Sequence, residues 1–393
     1  MSRRVHLYCT IVDNFGDIGV CWRLARQWVR EYKGEYAVSM WVDDWIAARQ
    51  MIAALPEVPT RESITVEGVQ INAWSQVSPT RDCTGDVLIE GFGCTLPAAT
   101  LAQVAVRAIK PVWINLEYFS AEDWVPSFHL KSGYDSVGRT DRWFFFPGVH
   151  ADSGGILRER GLIEQRKQWH AAGQTSEFLA RLGLTGTSHT QKLLCFAYTH
   201  APYSEWLAAL SAQAKPLSIW LCGVYSQAAF PPAQRAAHPL VDFYDVPFVS
   251  QPEFDHLLWS ADVLWVRGED SLARALWSGK PFVWHIYPQA DNAHHPKLAA
   301  WLAHYTQSFP PTIKTAYLAL HEAWNGVTDP ADLANAWAQL TQHWDDWQQH
   351  SLARSNEMAQ QPDLAWRLSK FVESKRLQTQ TYNLPHENST RTS

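Results

Sequence analysis

Two acidic clusters, each set where an apolar run gives way to a helical one, carry the most legible chemistry in this sequence. In Asp13-Asn14-Phe15-Gly16-Asp17-Ile18-Gly19, two carboxylates flank Gly16 directly after the first apolar run. Gly16 and Gly19 permit a tight turn and close backbone approach, and an aspartate there can orient an incoming nucleophile or accept its proton. The competing reading makes Asp17 a helix cap, a role aspartate often fills. A dinucleotide loop would need glycines in the order GxGxxG, and here two acids occupy the approach and would repel a phosphate. The loop therefore suits a cationic or hydroxylic acceptor.

Phosphate chemistry is expected further along, in Arg267-Gly268-Glu269-Asp270-Ser271. Arg267 offers a fixed cationic fork, Ser271 a hydroxyl donor, and the helix N-terminus a partial positive charge. Glu269 and Asp270 can grip sugar hydroxyls while main-chain amides face the anion. An acid-rich cap with Arg267 in a salt bridge is the plainer alternative. Phe196 and Tyr198, with Gln251 and Phe254, fall near the ends of apolar runs. A flat base needs a ring to stack on and a group that donates and accepts at once, as the Gln251 amide does. Aromatic core packing is the competing assignment. A fourth cluster, His285, Tyr287, Gln289, Asp291, Asn292, His294 and His295, matches no zinc-ligand spacing and reads as a loop closing over a sugar diphosphate. Glu117, Tyr118, Gly154 and Gly155 fall on loops able to reach the same cleft.

These residues need a scaffold, and the hydrophobic pattern supplies one. Apolar runs at 5–12, 36–42, 86–90 and 111–116 alternate with helical stretches around 20–32, 45–55 and 96–108. Such alternation predicts a mostly parallel, doubly wound sheet. Between about 120 and 186 the pattern breaks into aromatic and glycine-rich loops and a charged helical stretch, read as an inter-domain segment. Alternation then restarts in KLLCFAY, PLSIWLCG, VDFYDVPFV, DVLWVRG and KPFVWHIY, and the last third is helical. The expected organisation is two Rossmann-like α/β domains, 1–184 and 185–375, facing a central cleft, with a polar, frayed tail at 376–393.

Composition narrows the function. With 393 residues, 46% hydrophobic and 18% charged, the chain can bury large cores, and a formal charge of -6 disfavours nucleic acid as the main partner. The six cysteines form no CxxC pair, and no apolar run reaches the length of a membrane span, so a reduced, cytoplasmic protein is expected.

Taken in order, IVDNFGDIG, NLEYFSAEDW, FFFPGVH with Gly154 and Gly155, VPFVSQPEF, VRGEDSLARALWSG and KPFVWHIYPQ resemble the bacterial elongation factor P arginine rhamnosyltransferases. The resemblance implies a glycosyltransferase B fold and an inverting transfer of rhamnose from dTDP-β-L-rhamnose. The implied acceptor is a guanidinium nitrogen at a loop tip of elongation factor P, which the modification activates. By position, Asp17 resembles the general base, Asp13 its partner and Glu269 a third catalytic acid. Phe196, Tyr198, Gln251 and Phe254 resemble thymine and diphosphate contacts, and Arg267, Asp270, Ser271 and Tyr287 the remaining donor contacts. Phe15 stands where members often have Tyr, which preserves the ring. No metal or other cofactor is expected, and a monomer is. Two alternatives remain at this point: a nucleotide-sugar epimerase of the same architecture, and a non-catalytic protein-binding module.

Overall fold

A computed structural model describes residues 2–12, 15–60, 62–184, 190–213 and 215–382. Thirteen strands are present among them: β1 Arg3–Cys9, β2 Tyr36–Val42, β3 Ile64–Val66, β4 Val69–Ala73, β5 Val87–Gly91, β6 Val112–Leu116, β7 Ser132–Asp135, β8 Thr140–Phe145, β9 Gln191–Cys195, β10 Leu217–Cys222, β11 Val241–Val246, β12 Val263–Arg267 and β13 Phe282–His285. Five helices matter for the site: α1 Phe15–Glu31, α2 Gln251–Ser260, α3 Gly268–Ser278, α4 His294–Tyr305 and α5 Leu364–Tyr382.

The strands form an eight-stranded sheet ordered β3-β4-β2-β1-β5-β6-β8-β7 and a five-stranded sheet ordered β11-β10-β9-β12-β13. All neighbours pair in parallel except β3 with β4 and β7 with β8. Central strands such as β1, β5, β10 and β12 are almost continuously buried, because helices cover both faces of a parallel sheet. In the first sheet β1 lies between β2 and β5, and in the second β9 lies between β10 and β12. At these positions the chain leaves in opposite directions, opening a crevice at the carboxyl ends of the strands. The candidate loops follow β1, β9 and β12.

The two antiparallel hairpins fall outside the sequence-based reading. The β3–β4 turn uses Glu67 and Gly68 with φ of 49° and 84°, the left-handed pair of a two-residue hairpin turn. The first half of the aromatic segment read as loop, WFFFPG, is the end of strand β8, whose run of rings carries no period-two pattern to mark it.

Two large cores result. One contains Val5, Leu7, Trp28, Val38, Ile89 and Ile114, the other Leu193, Ile219, Leu264, Trp265, Val283 and Trp301. The boundaries 1–184, 185–375 and 376–393 do not coincide with these cores. Leu162, Trp169, Phe178 and Leu184 pack into the second core, while Leu364, Leu368, Phe371 and Val372 of α5 return to the first. The Trp28 indole donates to the Ala365 carbonyl, fastening this return. Helix α5 also runs on through the start of the polar tail to Tyr382. A helical apolar stripe declares that it must be buried but not against which core. Many of the 21 tryptophans are packing residues, with Trp28, Trp113, Trp220, Trp265 and Trp347 among the fully buried ones. All six cysteines are free and buried, and among the described residues no helix is long and apolar enough to cross a membrane.

Candidate active site

The cleft between the two sheets holds a cavity of about 240 Å³, lined from the first sheet's side by Gly16, Asp17, Phe92 and Tyr118 and from the second's by Gly268, Glu269, Tyr287 and Lys297. Asp17 lies in the first turn of α1, is 2% exposed, and accepts the Val12 amide proton at 2.8 Å. That bond ties the strand-to-helix loop to the carboxylate it presents. Asp13 lies outside the described residues.

Glu269 opens α3 opposite Asp17. Gly268 makes this placement possible: its φ of 69° turns the chain sharply from β12 into the helix, a conformation glycine adopts without strain. One Glu269 carboxylate oxygen accepts the Phe119 amide at 2.8 Å and the other takes Lys297 Nζ at 2.7 Å. Burial pushes the Glu269 carboxyl up from its ordinary range, and Lys297 opposes that shift. The cleft is thus faced by one acid from each side.

Beside it lies an aromatic cluster. The Arg267 guanidinium sits 4.6 Å from the ring centres of both Phe196 and Tyr198 and 5.2 Å from that of Tyr225. One of its terminal nitrogens is buried with no hydrogen-bond partner among the described residues. Such a group is primed for an anion, since an unmet buried donor is costly. Phe254 packs edge-on against Phe196 at 5.8 Å, and Tyr198 meets Tyr287 at 5.6 Å, which joins this cluster to the cleft. The Tyr198 amide donates to Nδ1 of buried His285, and burial holds that imidazole well below its ordinary pKa, in the neutral form an acceptor requires.

Three expected donor contacts face elsewhere in this arrangement. The Gln251 amide donates to the Gly19 carbonyl at 3.0 Å and accepts from Arg26 at 2.6 Å, so both ends engage α1. Asp270 pairs with Arg23 of α1 at 2.9 Å. The Ser271 hydroxyl donates to the Arg267 carbonyl. For Gln251 and Asp270 the reason is the close approach of the helices: a Cβ on Gly19 would sit 3.5 Å from both. Gly154 and Gly155 serve packing instead, since a Cβ there would strike the Phe145 ring and the Pro362 carbonyl.

Sequence reasoning missed Lys297 and a buried ion network beneath the cleft. Arg23, 2% exposed, meets Asp255 at 3.2 Å and Asp270, while Arg274 meets Asp255 at 2.7 Å and Glu159 at 2.6 Å. Burial alone would raise the Glu159 carboxyl, but the Arg274 and Arg23 guanidiniums reverse that and hold it below its ordinary value. One signal was available. Arg23 stands between Trp22 and Leu24 in the otherwise apolar stretch 18–25, where a charge needs a partner from elsewhere.

The comparisons with known proteins fall on this geometry. Residues 5–373 match the family model described as elongation factor P (EF-P) rhamnosyltransferase EarP. The chain belongs to this rhamnosyltransferase family. It is 38% identical over 387 residues to the protein-arginine rhamnosyltransferase of Pseudomonas putida, covering 93% of this chain and 97% of the relative. The Pseudomonas aeruginosa protein-arginine rhamnosyltransferase is 35% identical over 376 residues, with the same coverage of each chain. A solved structure from work on EarP-mediated arginine glycosylation of translation elongation factor EF-P superposes with a TM-score of 0.63 at 29% identity, over 95% of this chain and 99% of the other. The architecture is that of a glycosyltransferase B enzyme, and as a member of the EarP family the chain is a protein-arginine rhamnosyltransferase.

Proposed function

We propose that this enzyme transfers L-rhamnose, with inversion, from dTDP-β-L-rhamnose to one arginine of elongation factor P, activating that factor. The observation that carries the reading is the pairing of Asp17 and Glu269 across one cleft, beside an Arg267 whose buried nitrogen awaits a partner. A guanidinium is a cation and a poor nucleophile. Asp17, with Asp13 as its partner, would orient it and accept its proton as a terminal nitrogen attacks the anomeric carbon. The bond from that carbon to the diphosphate oxygen breaks in the same step, and dTDP leaves with the electron pair. Arg267 meets the negative charge growing on that leaving group. Glu269 accepts from sugar hydroxyls and faces the positive charge developing at the anomeric carbon.

Phe196, Tyr198 and Phe254 supply the ring surfaces for thymine, and Tyr287 closes the junction between base cluster and sugar cleft. Gln251 and Asp270 join the donor site once the two units separate enough to free them from α1, a gating motion of the kind common in such clefts, and Ser271 joins it by turning its hydroxyl away from the Arg267 carbonyl. The test is intact-mass measurement of elongation factor P after incubation with the purified chain and dTDP-β-L-rhamnose. The expected result is a gain of one deoxyhexose localised to a single arginine. An unchanged mass, or conversion of the nucleotide sugar without acceptor, overturns the reading.

A further inference from the structure

We propose that Lys297 is a positioning residue of the transfer reaction: its ammonium and the Phe119 amide clamp the two Glu269 oxygens so that an anionic carboxylate faces the cleft. The inference rests on the reading of Glu269 as an acid of the donor site. Lys297 projects from α4 and Phe119 from the loop after β6, so the clamp spans both sides of the cleft. The Lys297 and Glu269 side chains are only 18% and 19% exposed, which shields the pair from the screening that weakens surface ion pairs. Lys297 Nζ also lies 5.8 Å from the Tyr118 ring centre, a contact that favours the charged amine.

Among the described residues, the groups facing Glu269 are few. Lys297 and His294 come from α4, Asp17 from α1, and Tyr118 and Tyr287 from the cleft walls. Its neighbour Asp270 is turned to Arg23. The Nδ1 of His294 accepts the Gln289 amide, and burial lowers the pKa of that ring. Lys297 is therefore the cation on which the Glu269 charge depends. Burial and the charge of Asp17 both favour the protonated acid. Without Lys297, Glu269 takes up a proton at higher pH, and the acid limb of the rate profile moves upward.

The experiment compares the full chain with Lys297→Met and Lys297→Arg. In Lys297→Met the acid limb of kcat is expected to rise by at least about one pH unit, giving roughly a tenfold loss at pH values below both limbs that alkaline pH relieves. Lys297→Arg keeps the charge and restores the limb. Equal impairment of both variants at every pH, or an unmoved limb in Lys297→Met, overturns the assignment. A second readout needs neither donor nor acceptor: difference infrared spectra of Lys297→Met against Lys297→Met/Glu269→Gln, followed from acid to alkaline pH. A protonated-carboxyl band that persists to higher pH than when the parent chain is compared with Glu269→Gln supports the clamp, and a band lost at the same pH in both refutes it. Failure of the parent chain to modify elongation factor P defeats the functional reading alone and leaves this spectrum interpretable.

Discussion

Arg23 Nε lies 2.9 Å from Asp270 Oδ1, so a helix of the first sheet's unit is ion-paired to the helix that opens the candidate donor site of the second. Arg23 also bonds Asp255 and approaches Glu159 at 3.6 Å, and every member of this network is shielded from solvent to some degree. The coupling between the two halves is therefore electrostatic as well as apolar.

Removing Arg23 leaves Asp255, Asp270 and Glu159 with Arg274 as their main remaining cation. Arg23→Met is expected to cost about 3–5 kcal/mol of folding stability, the usual penalty for stranding buried charge. Urea unfolding followed by tryptophan fluorescence measures it. A loss below about 1 kcal/mol, the value of an exposed pair, shows that the network is not buried in solution.

Asp17→Asn preserves the size of the side chain and an oxygen for the Val12 amide, while removing the proposed proton acceptor. Rhamnosyl transfer should fall by about 10²–10⁴-fold, the range for loss of a general base. The far-ultraviolet spectrum and dTDP binding by calorimetry should stay near those of the parent. Near-normal turnover would remove Asp17 from its assigned role.

Acid stability follows from two buried imidazoles. His6 accepts the Trp41 indole N–H on Nδ1 and His321 accepts the Trp284 amide on Nε2, so each is needed neutral. Burial lowers His6 to about 4 and His321 to about 3, from the ordinary 6.5. The unfolded chain binds their protons first. Stability is then fully present above about pH 6.5 and lost as pH falls through that value toward 4, by up to about 1.4 kcal/mol per pH unit for each ring. Urea midpoints at successive pH values check this, and a flat profile between pH 6.5 and 4 contradicts it.

The strand-to-helix turns were readable because glycine and acid at a strand end have few other uses. Gly268, with its left-handed φ, and Asp17, two residues into α1, are where local spacing put them. The position of the aromatic cluster was readable for a related reason: Phe196, Tyr198 and Arg267 lie at or just after the ends of strands that must meet at one crevice of a parallel sheet. Hairpin β7–β8 was not readable because its strands carry no period-two pattern, and the core membership of 162–184 and α5 was not, because amphipathic segments carry no address.

Local pattern, then, determined which residue types sit at the carboxyl ends of the strands, since backbone conformation and burial period are short-range properties. Pairing was decided only in three dimensions. Lys297 reaches Glu269 across 28 residues, Phe119 reaches it across 150, and Arg23 reaches Asp270 across 247. A charge declares in sequence that it needs a partner, but only the packing of one helix against another chooses which partner it meets.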